Sequence, residues 1–130
     1  MKILSIKQPW ASLIIWGIKD IENRSWTTKY RGPLLIHSSK NPDKSISNFD
    51  FFEMMKDSIS PKYWNDFIES GCTHGHIIGV VELVGIVSPD AFCKSGWHEE
   101  GYFGWYIENP IRFQNPLPYH GKLGLFDCPE

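Results

Sequence analysis

Several things are scarce in this chain, and each scarcity excludes something. No apolar run approaches the roughly 18 residues that a membrane-spanning helix needs. There are three cysteines, Cys72, Cys93 and Cys128, an odd number without paired spacing. That argues against a disulfide framework and for a reducing compartment. Met1 leads straight into "KILSIKQPW" with no small-residue cleavage site, so no secretory signal is expected. A cytoplasmic protein is the expectation. Net charge is also small, −2 over 130 residues, which excludes a strongly basic nucleic-acid protein at the level of the whole chain. Repeats and low-complexity segments are missing. So is a phosphate-cradling glycine loop, because the first strand is followed by "QPW" and not by glycines.

What is present is a globular composition, 42% hydrophobic and 22% charged, in a length that suits one domain with one core. Aromatic content is high at 15%, with six Trp and eight Phe, more rings than a small core readily buries. Charge is unevenly spread. Residues 1–44 hold eight Lys/Arg against three Asp/Glu, and residues 45–130 hold five against twelve. This predicts a basic face, suited to phosphates, on an acidic body; a chance clustering of solvated charges is an equal alternative.

Along the chain, "MKILSI" reads as a strand. "QPWASLIIWG" reads as a short helix with Pro9 at its first position and Gly17 just past its end. Being apolar nearly all round, that helix is expected to be buried. Residues 20–26 form a second strand, "TTKYRGP" a turn, and "LLIH" (34–37) a buried strand. A helical region spans about 46–70, where Ser60, Pro61 and Gly71 supply boundary signals for its second helix. "HIIGVVELVGIV" (76–87) is the strongest strand, and its glycines at 79 and 85 predict bulges or bends. "YFGWYIEN" is a strand expected to break at Pro110, and "LGLFD" closes the chain. Five or six short strands, with helices after the first and third, predict an α+β fold on a small curled sheet or barrel.

Strand alternation puts Asp20, Glu22, Arg24 and Trp26 on one face. Buried unpaired charges are costly, so these groups must meet solvent, a cleft or each other. A Glu22–Arg24 bridge on a solvated strand is the simple reading. Trp26 beside the guanidinium points instead to a stacking platform for a base. "IHSSK" (36–40) sets His37, two hydroxyls and Lys40 at a strand end; this suits a phosphate or ribose grip, although taken alone a capped turn explains it better. Glu82, inside an apolar strand, faces either solvent or a polar cleft where a raised pKa would suit acid–base work. Cys72, His74 and His76 in "CTHGH" match no familiar zinc spacing and lack a fourth ligand. No metal or other cofactor is expected.

The pattern G-x-K-x-x-E-x-R is met by Gly17, Lys19, Glu22 and Arg24. With "LSIKQPWASLI" before it and "SW", "RGPLLIHSSK", "GWYIENP" and "GKLGLF" after it, the chain resembles the ASCH domain family, from about Ile3 to Phe126. The resemblance implies a single domain over residues 1–130, a PUA-like β-barrel of five to six strands with flanking helices and a helical insert at about 46–70. It also implies a cleft with the motif at its mouth, and RNA or another nucleic acid as partner. One branch of similar fold hydrolyses N4-acylated cytidines with a lysine, a threonine and a glutamate. Its lysine falls on Lys19, but its threonine falls on Glu22, with Thr27 and Thr28 nearby.

Two functions follow as expectations. As a module for single-stranded RNA or a modified nucleotide, the chain would use Lys19, Arg24 and Lys40 on phosphate or a base edge. Trp26 and Trp10 would stack, and Glu22 would orient Arg24 or accept from a base amine. As a hydrolase on nucleosides or RNA, it would use Lys19 as base or electrostatic stabiliser and Glu22 or Glu82 as the carboxylate. A protein-interaction domain presenting its aromatics is a third, blander possibility.

Overall fold

The computed structural model describes residues 1–128. Six strands, β1 (Lys2–Ile6), β2 (Ile21–Arg24), β3 (Gly32–Ser38), β4 (His76–Val87), β5 (Phe103–Pro118) and β6 (Leu125–Asp127), form one sheet in the order β2-β5-β4-β3-β1-β6. Pairing is antiparallel except between β1 and β3, which run parallel with Ser5 opposite His37. The sheet curls into a half-barrel of the PUA-like type, flanked by α1 (Trp10–Ile15), α2 (Asn48–Met55) and α3 (Trp64–Gly71). Among the described residues, no helix is long and apolar enough to cross a membrane.

Burial explains why α1 is apolar on every side. Ala11, Ile14 and Ile15 face the barrel interior with Leu4, Ile36, Val81 and Trp105. Leu13 faces the other way, against Phe51, Met55 and Phe67 of the helical excursion. The helix thus lies between two apolar clusters, and its turns have no solvated face to supply. Its buried start is satisfied by Gln8, whose Oε1 accepts from the Ser12 N–H at 3.0 Å while its Nε2 donates to the carbonyls of Ser70 and Thr73.

The excursion over residues 39–75 leaves and returns at adjacent points. Ser38 and His76 are register partners, and the Gly75 N–H donates to the Ser38 carbonyl at 2.7 Å. Ser47 caps α2, its Oγ accepting from the Asp50 N–H at 3.1 Å. Gly71, expected just past the end of a helix, is instead the last residue of α3. Its missing Cβ makes room for Phe52, whose ring carbon would lie 3.4 Å from one.

The glycines of β4 do accompany bulges, with register shifts between Ile77 and Gly79 and between Leu83 and Gly85. At Gly79 a Cβ would collide with the Ile111 carbonyl and the Ile15 side chain. Pro110 does not end its strand. Asn109 takes a left-handed conformation (φ +52°) and β5 bends there but continues to Pro118. The lost N–H falls at a bulge opposite Val80 and Glu82, where the ladder is already interrupted.

Candidate nucleic-acid interface

The charged segment after α1 is set up by a local stop signal. Gly17 (φ +76°) donates to the Ile14 carbonyl at 3.1 Å, and Ile18 donates to that of Leu13 at 3.0 Å, the paired bonds of a Schellman turn. The chain then reverses into β2 and folds its charges against one another. The Lys19 ammonium donates to the Ile21 carbonyl and to Glu22 Oε1 at 3.3 Å. Glu22 Oε2 accepts from Arg24 Nε at 3.0 Å and forms an ion pair with Nη2, also at 3.0 Å. Lys19 and Glu22 are only 6% and 8% exposed, so the carboxylate is the counter-ion that makes burial of Lys19 tolerable.

Arg24 carries this cluster across the barrel mouth. β2 lies at one edge of the sheet and β1 near the other, and Arg24 Nη2 donates to the Ser5 carbonyl at 2.7 Å. That carbonyl is open to it because the pairing of β1 with β6 ends at Leu4. One guanidinium therefore ties the two sides of the half-barrel together.

The side chain of the same Ser5 helps line a cleft of about 530 Å³. The cleft opens beyond the C-terminal ends of the parallel strands β1 and β3 and is bounded by residues 119–123. Lys7, Lys40, Lys122 and His120 line it, and its described lining includes no carboxylate. At its wall Ser5 Oγ lies 2.9 Å from His37 Nδ1, and His37 Nε2 lies 2.8 Å from the Tyr119 carbonyl oxygen. A carbonyl only accepts, so in the neutral ring Nε2 carries the proton and Ser5 donates to Nδ1. Burial lowers the His37 pKa below its ordinary value; the Tyr119 carbonyl opposes this, and His120 and His76 add to it.

The residues singled out from the sequence are distributed as follows. Lys40 is exposed in the cleft. Lys19, Glu22 and Arg24 converge on one another and reach the cleft wall through Ser5. Trp10 is half-buried and donates from Nε1 to Asp43 Oδ2 at 2.8 Å, bracing the loop that follows Lys40. With Ser45, that bond holds the Asp43 carboxyl down at about 2. Trp26 is half-buried, its ring edge-on to Trp105 (4.8 Å between centroids, 82°), and its carbonyl accepts from Trp105 Nε1. Glu82 is exposed on β4 between Pro33 and Glu108, apart from the buried Lys19. The His74 and His76 rings each face a backbone carbonyl. Among the described residues, no group of three His, Cys, Asp or Glu is placed to hold a metal.

Sequence reasoning does not single out Lys7, His120 and Lys122, and no motif for nucleophilic catalysis lies next to Ser5 or Ser12 in the chain. The available signal was "IHSSK" with "SIKQ": each strand has a polar side chain next to its last residue, Ser5 or His37, and a lysine just beyond its end, Lys7 or Lys40, and parallel pairing sets Ser5 beside His37.

A curled six-stranded half-barrel with this topology is a PUA-like domain. The family model for the ASCH domain matches residues 4–117, and the chain belongs to the ASCH domain family. It is 36% identical over 125 residues to Activating signal cointegrator 1 of Homo sapiens and to that of Mus musculus. Those alignments cover 92% of this chain but 21% of each relative, so the chain spans about a fifth of the length of the curated relatives it matches.

Proposed function

We propose that this ASCH domain binds single-stranded RNA, with phosphates seated in the cleft between Lys7, Lys40 and Lys122. The observation that carries the reading is the charge of that cleft: three lysines and His120 with no lining carboxylate, on a chain whose net charge is −2. A cationic groove that follows a backbone is the recurring element of single-strand recognition. In this reading the G-x-K-x-x-E-x-R motif acts behind the contact surface. Lys19 and Glu22 orient Arg24, and Arg24 holds the Ser5 backbone from which the cleft wall is built.

The hydrolase reading with Lys19 as base has less support. The Lys19 ammonium is already engaged by Glu22 and the Ile21 carbonyl, and Glu82 stands on the solvent side of β4.

The test is an anisotropy titration with a short single-stranded RNA at several salt concentrations. Two or three phosphate contacts predict a slope of log K against log salt of about −1.4 to −2. Lys40→Glu/Lys122→Glu is expected to flatten the slope and weaken binding at least tenfold. Lys19→Ala/Arg24→Ala is expected to weaken binding through loss of the wall. Binding without salt dependence, or unchanged binding by both double variants, would count decisively against the proposal.

A further inference from the structure

The Ser5–His37 pair has the wiring of an activated nucleophile, and the RNA-binding reading leaves it unused. Three groups stand in series: the Ser5 hydroxyl, His37 Nδ1 at 2.9 Å, and the Tyr119 carbonyl at 2.8 Å from the opposite ring nitrogen. Nucleophile, base and an orienting third group within hydrogen-bond reach are the general signature of covalent catalysis by an activated hydroxyl. The orientation is productive, because the Tyr119 carbonyl can only accept. The ring is thereby held in the tautomer whose Nδ1 lone pair points at Ser5. His37 is 2% exposed, so its ring cannot swing out to solvent, whereas Ser5 opens on the cleft.

The chain packs closely on one side of the pair: a Cβ at Gly121 would lie 2.9 Å from Ser5 Oγ and 2.6 Å from His37 Cε1, so only glycine fits there. Arg24, bonded to the Ser5 carbonyl at 2.7 Å, fixes the backbone that presents the hydroxyl.

We propose that Ser5 is the nucleophile, and His37 the general base, of an esterase that acts on carboxylic esters of phosphate-bearing alcohols of nucleotide size. The substrate class rests on the reading of the cleft as a phosphate site. Its about 530 Å³ suits one nucleotide, and its lysines supply positive charge for both the phosphate and the developing oxyanion.

In the first step Ser5 Oγ bonds to the acyl carbon and its proton passes to His37 Nδ1. The tetrahedral intermediate collapses, and the alcohol departs with that proton. Water then repeats the sequence: it gives a proton to Nδ1, attacks the acyl-Ser5 ester, and the Ser5 oxygen leaves with the proton. The sum is ester plus water giving carboxylic acid plus alcohol. Burial first, and then His120 and His76, oppose protonation of His37, and a phosphate entering the cleft offsets the part of that opposition due to charge. The base therefore strengthens when an anionic substrate is bound, which favours such substrates over neutral ones.

The experiment treats the full chain with a fluorophosphonate probe, read by intact mass and peptide mapping. Turnover of a 3′-O-acetyl nucleoside 5′-monophosphate is measured beside that of the unphosphorylated ester. The expected result is one adduct, on Ser5, absent in Ser5→Ala and slowed at least a hundredfold in His37→Gln, which keeps a donor for Tyr119. The phosphorylated ester should turn over at least tenfold faster, and Lys40→Glu/Lys122→Glu should abolish that preference. If either variant fails to fold, the labelling rate of the parent against pH serves instead and must rise as His37 loses its proton. A folded parent that binds RNA while Ser5 stays unlabelled overturns the esterase and leaves the binding reading intact. Labelling of Ser5 with no preference for the phosphorylated ester and no RNA binding overturns the phosphate site and the substrate class drawn from it.

Discussion

Replacing Glu22 by alanine removes the only carboxylate that contacts Lys19 and Arg24 among the described residues. Lys19, 6% exposed, then keeps the Ile21 carbonyl as its acceptor but has no counter-ion. Breaking a buried ion pair from one side costs about 3–5 kcal/mol, because the surviving charge stays buried. Arg24, with 21% of its side chain exposed, is less buried than Lys19 and can turn to water, so Lys19 should account for most of the loss. In urea, with a slope of about 1.5 kcal/mol per molar, the unfolding midpoint of Glu22→Ala should fall by roughly 2–3 M. Lys19→Met/Glu22→Leu/Arg24→Met removes all three charges and should recover most of that loss, since well-packed apolar replacements for buried ion networks are often neutral or stabilising. Salt should have little effect on the difference, because buried pairs are poorly screened. A midpoint for Glu22→Ala within about 0.5 M of the parent would refute the argument that the carboxylate neutralises a buried lysine.

Three further outcomes are expected. Gly79→Ala should cost about 1–3 kcal/mol, by overpacking, in the same urea assay, because its Cβ would meet the Ile111 carbonyl and the Ile15 side chain. Gly121→Ala should displace the strip over the cleft wall and lower RNA affinity several-fold in an anisotropy titration, since its Cβ would sit 2.9 Å from Ser5 Oγ. The Asp43 carboxyl is held at about 2 against an ordinary 3.8, so its contribution to stability is complete above pH 4 and is lost as pH falls through 2. Asp43→Asn should therefore flatten the urea midpoint of the protein over pH 4 to 2 relative to the parent.

Local chemistry was the part of this structure most open to reading in advance. Gly17 and Ile18 end α1 through bonds to carbonyls three and five positions back respectively, and such a turn is written in the residues that make it. The same holds for the Ser47 cap and for the grouping of Glu22 and Arg24 on one face of β2. Gly71 and Pro110 went otherwise because their roles are tertiary. Gly71 accommodates Phe52 from another helix, and Pro110 survives within β5 because the ladder is already bulged opposite it. The half-barrel's curl decides the site. Nothing local to Arg24 says that it will meet a carbonyl 19 positions earlier, or that His37 will be set beside Ser5 by the one parallel pairing in the sheet. Nothing local to Trp26 says that its ring will meet that of Trp105 in a T-shaped contact.

The excursion between β3 and β4 has a consequence for diversification. Because residues 39–75 start and finish on register partners, the two strands are in effect a hairpin whose connecting turn has been exchanged for a removable cartridge. Loop closure becomes costlier only slowly as a connection lengthens, so cartridges of different length and content can be fitted to the same pair of strand ends. The fitting conditions are acceptors for the buried Gln8 amide, now the Ser70 and Thr73 carbonyls, and an apolar underside for Leu13 and the neighbouring Trp16, which now rest on Phe51, Met55 and Phe67. Ser39 and Lys40 at one end and Gly75 at the other border the basic cleft. Exchanging the cartridge would thus reshape the approach to the cleft while the sheet that holds Ser5 and His37 stays as it is, a natural graft point for retuning ligand choice in this scaffold.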